Sequence, residues 1–96
     1  MLREGERYGT GPFVLYVKRG GSRRRIGIRV GKRVGTATQR NRVKRLIRDV
    51  YRRHRMQLEE GCSMVVIVRQ AARDISYDEC AKRLRVLWQK SKVLRS

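Results

Sequence analysis

Acidic residues are scarce in this 96-residue sequence: Asp and Glu number 8, against 26 Lys and Arg. Glu4, Glu6, Asp49, Glu59, Glu60, Asp74, Asp78 and Glu79 are too scattered for the clustered carboxylates that acid–base or two-metal phosphodiester hydrolysis needs. Glu59 and Glu60 fall at a predicted helix end and Asp78 and Glu79 in a predicted first turn, where capping and charge account for them. Histidine occurs once, as His54, in the middle of an apolar stripe, and reads as a buried or boundary residue rather than a base. The two cysteines, Cys62 and Cys80, form no CxxC pair and have too few companions for a zinc site; they fit free thiols in a reducing cytoplasm. Long apolar runs are absent as well. The longest, Met64-Val65-Val66-Ile67-Val68, is far short of the ~20 residues that span a bilayer. The opening Met1-Leu2-Arg3-Glu4-Gly5-Glu6-Arg7 is polar from position three and does not read as a secretory leader. These shortages argue against an autonomous nuclease, a metalloprotein and a membrane-spanning protein, and the expected location is the cytoplasm.

What is abundant is positive charge, +18 net, with 20 Arg and only 6 Lys. Ninety-six residues make one domain, and 40% hydrophobic residues can still build one small core. So much charge on so small a body implies a polyanionic partner. The dominance of Arg favours RNA over an anionic membrane, because guanidinium forks onto phosphate and stacks on bases. The charge is also localised: residues 18 to 55 hold sixteen Lys or Arg and a single acid, Asp49. Solvated helix faces normally mix signs, and like charges at this spacing cost stability unless an anion neutralises them.

Periodicity orders the chain. Residues 1–11, with three glycines and few apolar positions, read as irregular. Phe13-Val14-Leu15-Tyr16-Val17 reads as a strand, and Ile26, Ile28 and Val30 alternate with Arg25, Gly27 and Arg29 in a second. With Gly20-Gly21-Ser22 between them, the two runs predict an antiparallel hairpin. Val43, Leu46, Ile47, Val50, Tyr51, His54 and Leu58 recur at three and four, predicting a helix over about 37–58. Thr36 with Gln39 supplies its capping box, and Glu59-Glu60-Gly61 its stop. Arg45 and Arg52 lie opposite the stripe, Asn41, Lys44, Arg48 and Arg55 on one flank, Arg42 and Asp49 on the other, and Arg40 nearer the apolar edge. Ser63 to Arg69 reads as a third strand buried on both faces, and Ser76 with Glu79 opens a C-terminal helix over about 76–90. Strand, strand, helix, strand, helix predicts an α+β fold with helices on a small sheet. Gly27-Ile28-Arg29-Val30-Gly31-Lys32-Arg33 is not a P-loop, having three residues between its glycines and Arg after Lys; the helix start at Gly35-Thr36 still offers N–H groups to one phosphate.

The run from Gly31 to Arg48 carries Arg40-Asn41-Arg42-Val43-Lys44-Arg45-Leu46-Ile47-Arg48 without a gap. It resembles the signature of the bacterial ribonuclease P protein family, with similarity over nearly all of residues 9 to 92. The resemblance implies that family's fold, a small mixed sheet with a left-handed strand–helix–strand crossover, which the usual handedness rule would mispredict. The family begins with a basic segment and a helix carrying two aromatics; this sequence starts near the end of that helix, so the resemblance implies that it is missing or truncated.

The resemblance also implies a function. In this family an RNA subunit with bound magnesium ions cleaves precursor tRNA at its 5′ end, and the protein binds that RNA and the 5′ leader. The implied RNA-subunit contacts are Lys32, Arg33, Arg40, Asn41, Arg42, Lys44, Arg45, Arg48 and Arg52. The leader groove is implied across one sheet face, against a helix, where Val14, Tyr16 and Arg29 would lie. Tyr16 reads equally well as an ordinary half-buried sheet residue, and Arg29 stands where the family has a small polar residue. No catalytic residue, protein-bound metal or cofactor, membrane or small-molecule substrate is expected. Two other classes remain: a ribosomal-type structural RNA-binding protein with no role in cleavage, and a DNA binder using helix 37–58. The second is weakened by the few Asn and Gln (Gln39, Asn41, Gln57) that helix offers for base edges.

Overall fold

A computed structural model describes residues 6–19, 25–58 and 62–93. Four strands, β1 (Glu6–Thr10), β2 (Phe13–Arg19), β3 (Arg25–Val30) and β4 (Cys62–Val68), and two helices, α1 (Ala37–His54) and α2 (Tyr77–Lys90), make an α+β fold. The sheet order is β1-β2-β4-β3, with β3 parallel to β4 and the other pairs antiparallel. The chain therefore runs β3, α1, β4 between neighbouring parallel strands, a strand–helix–strand unit.

The expected β2–β3 hairpin does not form, because β4 lies between the two strands. The physical reason is in β4 itself: the apolar strand takes the interior place, its backbone hydrogen-bonded along both edges, and β3, whose Arg residues protect an exposed edge, is left at the rim. The Gly20-Gly21-Ser22 turn lies outside the described residues, as do the Glu59-Glu60-Gly61 stop and residues 1–5, where the family's first helix would end. Residues 1–11 are also more ordered than expected. Glu6–Thr10 pairs residue for residue with β2, turning at Gly11-Pro12 with Gly11 at φ +32°. This edge strand has only Tyr8 and Thr10 half-buried, so it lacks the apolar alternation that would reveal it.

Strand β4 is buried on one face only. Cys62, Met64, Val66 and Val68 are buried, whereas Ser63, Val65 and Ile67 are half-buried. Phe13, Leu15 and Val17 share the inner face, and both helices pack there. Val43, Ile47 and Val50 of α1 and Cys80, Leu84, Leu87 and Trp88 of α2 complete one core. Burying the Trp88 indole stabilises the fold by about 5 kcal/mol. That outweighs the roughly 1–3 kcal/mol cost of its Nε1, which has no hydrogen-bond partner among the described residues. His54 is half-buried, with Nδ1 2.9 Å from Val50 O and its ring 5.9 Å from that of Trp88, a structural placement.

The capping box of α1 is complete. Thr36 Oγ1 accepts from Gln39 N–H at 3.2 Å, and Gln39 Oε1 accepts from Thr36 N–H at 2.9 Å. Gly35 is required here, because a Cβ would collide with the Gln39 amide that closes the box. Helix α1 ends at His54, earlier than expected, and tightens into a 3-10 turn over Arg55–Gln57 that delivers Leu58 to the core. At α2, Ser76 Oγ caps Glu79 N–H at 3.2 Å, but the Glu79 carboxylate turns to Arg83 at 2.6 Å instead of closing a box.

Candidate nucleic-acid interface

With Val43, Ile47 and Val50 of α1 in the core, helical geometry turns the basic residues outward. Asn41, Arg42, Arg45, Arg48 and Arg52 are exposed, and Lys44 is half-buried. None of these cations has an ion-pair partner among the described residues. The one acid of the helix, Asp49, is engaged by Arg53 at 3.8 Å. Arg53 also lies over the Tyr77 ring of α2, 5.4 Å from its centroid, so the flank bearing Arg42, Asp49 and Arg53 is the side nearer α2. The opposite flank, with Asn41, Lys44 and Arg48, points away from it. Arg40, placed nearer the apolar edge by the helical spacing, is half-buried there, and its Nε is buried with no partner among the described residues.

Lys32 and Arg33 sit exposed on the 3-10 turn Lys32–Val34, between β3 and the cap of α1. The N–H groups of Thr36 and Gln39 are taken by the capping box. The helix start therefore has fewer donors for a phosphate than its sequence implies, and side-chain cations carry the charge there.

The second surface is the outer sheet face. Strand register brings Arg7, Tyr16, Val65 and Gly27 into one row, and Gly9, Val14, Ile67 and Arg29 into the next. Lys18, Ser63 and Arg25 make a third. Val14, Tyr16 and Arg29 thus share a face, with Tyr16 half-buried, Arg29 exposed and Val14 only 4% exposed. The result is a half-open apolar strip, Tyr16, Val65 and Ile67, rimmed by cations. It does not lie against either described helix, since both cover the other face. Val65, Ile67, Arg7 and Arg25 are members that sequence reasoning missed. The alternation of β4 was hidden because both its faces are apolar, and the cross-strand rows depend on a pairing that no local pattern encodes.

No group of three or more His, Cys, Asp or Glu among the described residues is placed to hold a metal ion. Burial pushes the Cys80 thiol up to about 12, against the weaker opposing pull of Arg42, which keeps it a protonated core residue. Among the described residues no helix is long and apolar enough to cross a membrane.

Comparison with known proteins agrees with this geometry. The family model Ribonuclease P matches residues 1–92. The ribonuclease P protein component of Dictyoglomus thermophilum is 43% identical over 98 residues, covering 99% of this chain and 82% of the relative. That of Shouchella clausii is 43% identical over 96 residues, covering 98% and 79%. Among solved structures, the Staphylococcus aureus RNase P protein has a TM-score of 0.88 at 28% identity, covering 97% of this chain and 86% of that one. The Thermotoga maritima RNase P protein has a TM-score of 0.81 at 28% identity, covering 91% and 84%. A basic helix carrying the uninterrupted Arg-Asn-Arg signature, on this sheet and with these relatives, places the chain in the ribonuclease P protein family.

Proposed function

We propose that the chain is the protein component of a ribonuclease P holoenzyme, binding the catalytic RNA and the 5′ leader of precursor tRNA during tRNA 5′ maturation. The observation that carries this reading is the outer face of α1: Arg42, Arg45 and Arg48 of the family signature, and Arg52 beyond it, are exposed and have no ion-pair partner among the described residues. That face, with Lys32 and Arg33, meets phosphates of the RNA subunit, and Arg40, Asn41 and Lys44 extend the contact. The chain contributes positioning and charge neutralisation, while bond cleavage and its magnesium ions belong to the RNA. The outer sheet face takes the leader: Tyr16, above a floor of Val14, offers a ring for a base or sugar, and Arg29 a charge for phosphate.

The decisive experiment is precursor-tRNA cleavage at low magnesium by a bacterial ribonuclease P RNA, with and without the chain. Stimulation that depends on a 5′ leader is expected. Stimulation indifferent to the leader removes the sheet-face role and keeps the RNA contact. Tight RNA binding without stimulation identifies a ribosomal-type packing protein instead. For the α1 face, Arg45→Ala and Arg48→Ala should each weaken RNA-subunit binding and flatten its salt dependence by about one unit of slope. Unchanged slopes in both variants sink the assignment of this face to phosphate.

A further inference from the structure

A cleft opens where β3 and β4 finish. Gly31, Lys32 and Arg33 line it from the β3–α1 connection, and Arg69, Gln70 and Ala71 from the β4–α2 connection. The surrounding backbone is tied in place. Arg69 N–H donates to Pro12 O at 2.8 Å, anchoring the start of the second connection to the β1–β2 turn. Arg73 Nε donates to Val34 O at 2.8 Å across 39 residues of sequence, fixing the turn that bears Lys32 and Arg33 to the β4–α2 segment.

Among the described residues, three cations and no carboxylate line this cleft. Lys32, Arg33 and Arg69 are all exposed, and none has a hydrogen-bond or ion-pair partner for its charge among the described residues. The neighbouring depression is different. Its lining includes Asp74 and Glu79; Arg83 there is held by Glu79 at 2.6 Å, and Arg73 by the Val34 carbonyl. Arg73 and Arg83 are thus engaged internally, whereas the charges of Lys32, Arg33 and Arg69 are not, among the described residues. Like charges facing one concavity repel, and an anion relieves that cost. The guanidinium of Arg69 is suited to two-pronged contact with phosphate oxygens.

We infer that this cleft is a further phosphate-binding site for the RNA subunit, in which Arg69 joins Lys32 and Arg33. Arg73 acts as a positioning residue behind it. The inference rests on the RNA-subunit reading above and carries the interface from α1 round to the end of β4.

Binding of the full chain to a bacterial ribonuclease P RNA, measured across a salt series, tests it. Arg69→Gln should weaken binding about three- to tenfold at ~0.15 M salt and lower the salt slope by about one. Arg69→Lys keeps the charge and should restore the slope. Lys32→Ala combined with Arg69→Gln should lose less than the two single losses together, because both side chains serve one anion. The Arg69 side chain is exposed, so its replacement should leave the thermal melt unchanged. An unchanged slope for Arg69→Gln beside a lowered slope for Arg48→Ala overturns the cleft and leaves the α1 surface standing. Unchanged slopes in both overturn the RNA-subunit reading and the cleft with it. A loss confined to precursor-tRNA binding by the assembled holoenzyme overturns the assignment to the RNA subunit.

Discussion

Lys92 holds the only positive φ among the described non-glycine residues, at 59°. It terminates α2 in a Schellman motif, with Val93 N–H on Trp88 O at 2.9 Å and Lys92 N–H on Gln89 O at 3.1 Å. Val93 is then buried, so the left-handed turn is what returns an apolar residue to the core. Glycine adopts this conformation without the Cβ penalty, and Lys92→Gly should raise stability by ~0.5–1 kcal/mol in urea denaturation. A loss instead would show that the Lys92 side chain contributes more than its backbone costs. Cys80 gives a pH-dependent expectation. Its folded pKa is raised from an ordinary 9.0 to about 12, so above pH 9 the unfolded state releases a proton that the folded state keeps. Stability is intact below pH 9 and falls as pH rises toward 12, and Cys80→Ala should flatten that part of the alkaline profile. At this scale the sequence was legible wherever a residue answers to near neighbours, as Thr36 answers to Gln39. Arg40 was legible in the same way: its place near the apolar edge of the stripe is where the structure leaves it half-buried.

The helices were readable because an apolar stripe and a cap are local properties, recoverable within one turn. Thr36→Ala tests the cap directly. Losing the Gln39 N–H bond should cost about 1 kcal/mol, read as a lower urea midpoint with unchanged m-value. A cost near zero would show that Gly35 and Gln39 hold the helix start without the hydroxyl. Strands were harder. β2 and β3 each show the right alternation, yet their partner, β4, arrives more than thirty residues after β3 ends, and nothing in either strand encodes it. β1 was missed for the opposite reason: as an edge with one strand neighbour, it needs only Tyr8 and Thr10 turned inward. The apolar outer positions Val65 and Ile67 made β4 look doubly buried. They are better understood as the floor of an open surface, which is why the candidate leader face was only partly visible.

For the molecule as a whole, the net charge of +18 acts on folding and on binding with opposite salt dependence. Self-repulsion opposes the compact state, so Tm of the RNA-free protein should rise with ionic strength, while affinity for RNA falls. A salt-independent Tm would mean that the cations are too far apart to repel in the folded state. The sheet order has a temporal consequence during synthesis. β1 and β2 can pair as soon as they leave the ribosome, but β3 has only β4 as a strand partner among the described residues. The family signature is fully translated by Arg48, yet the sheet beneath it is incomplete until Val68, and Leu84, Leu87 and Trp88 of the shared core come later still. A nascent chain thus carries the signature well before it carries the shaped surface, and the RNA docking proposed for that surface waits for nearly the last turn of α2.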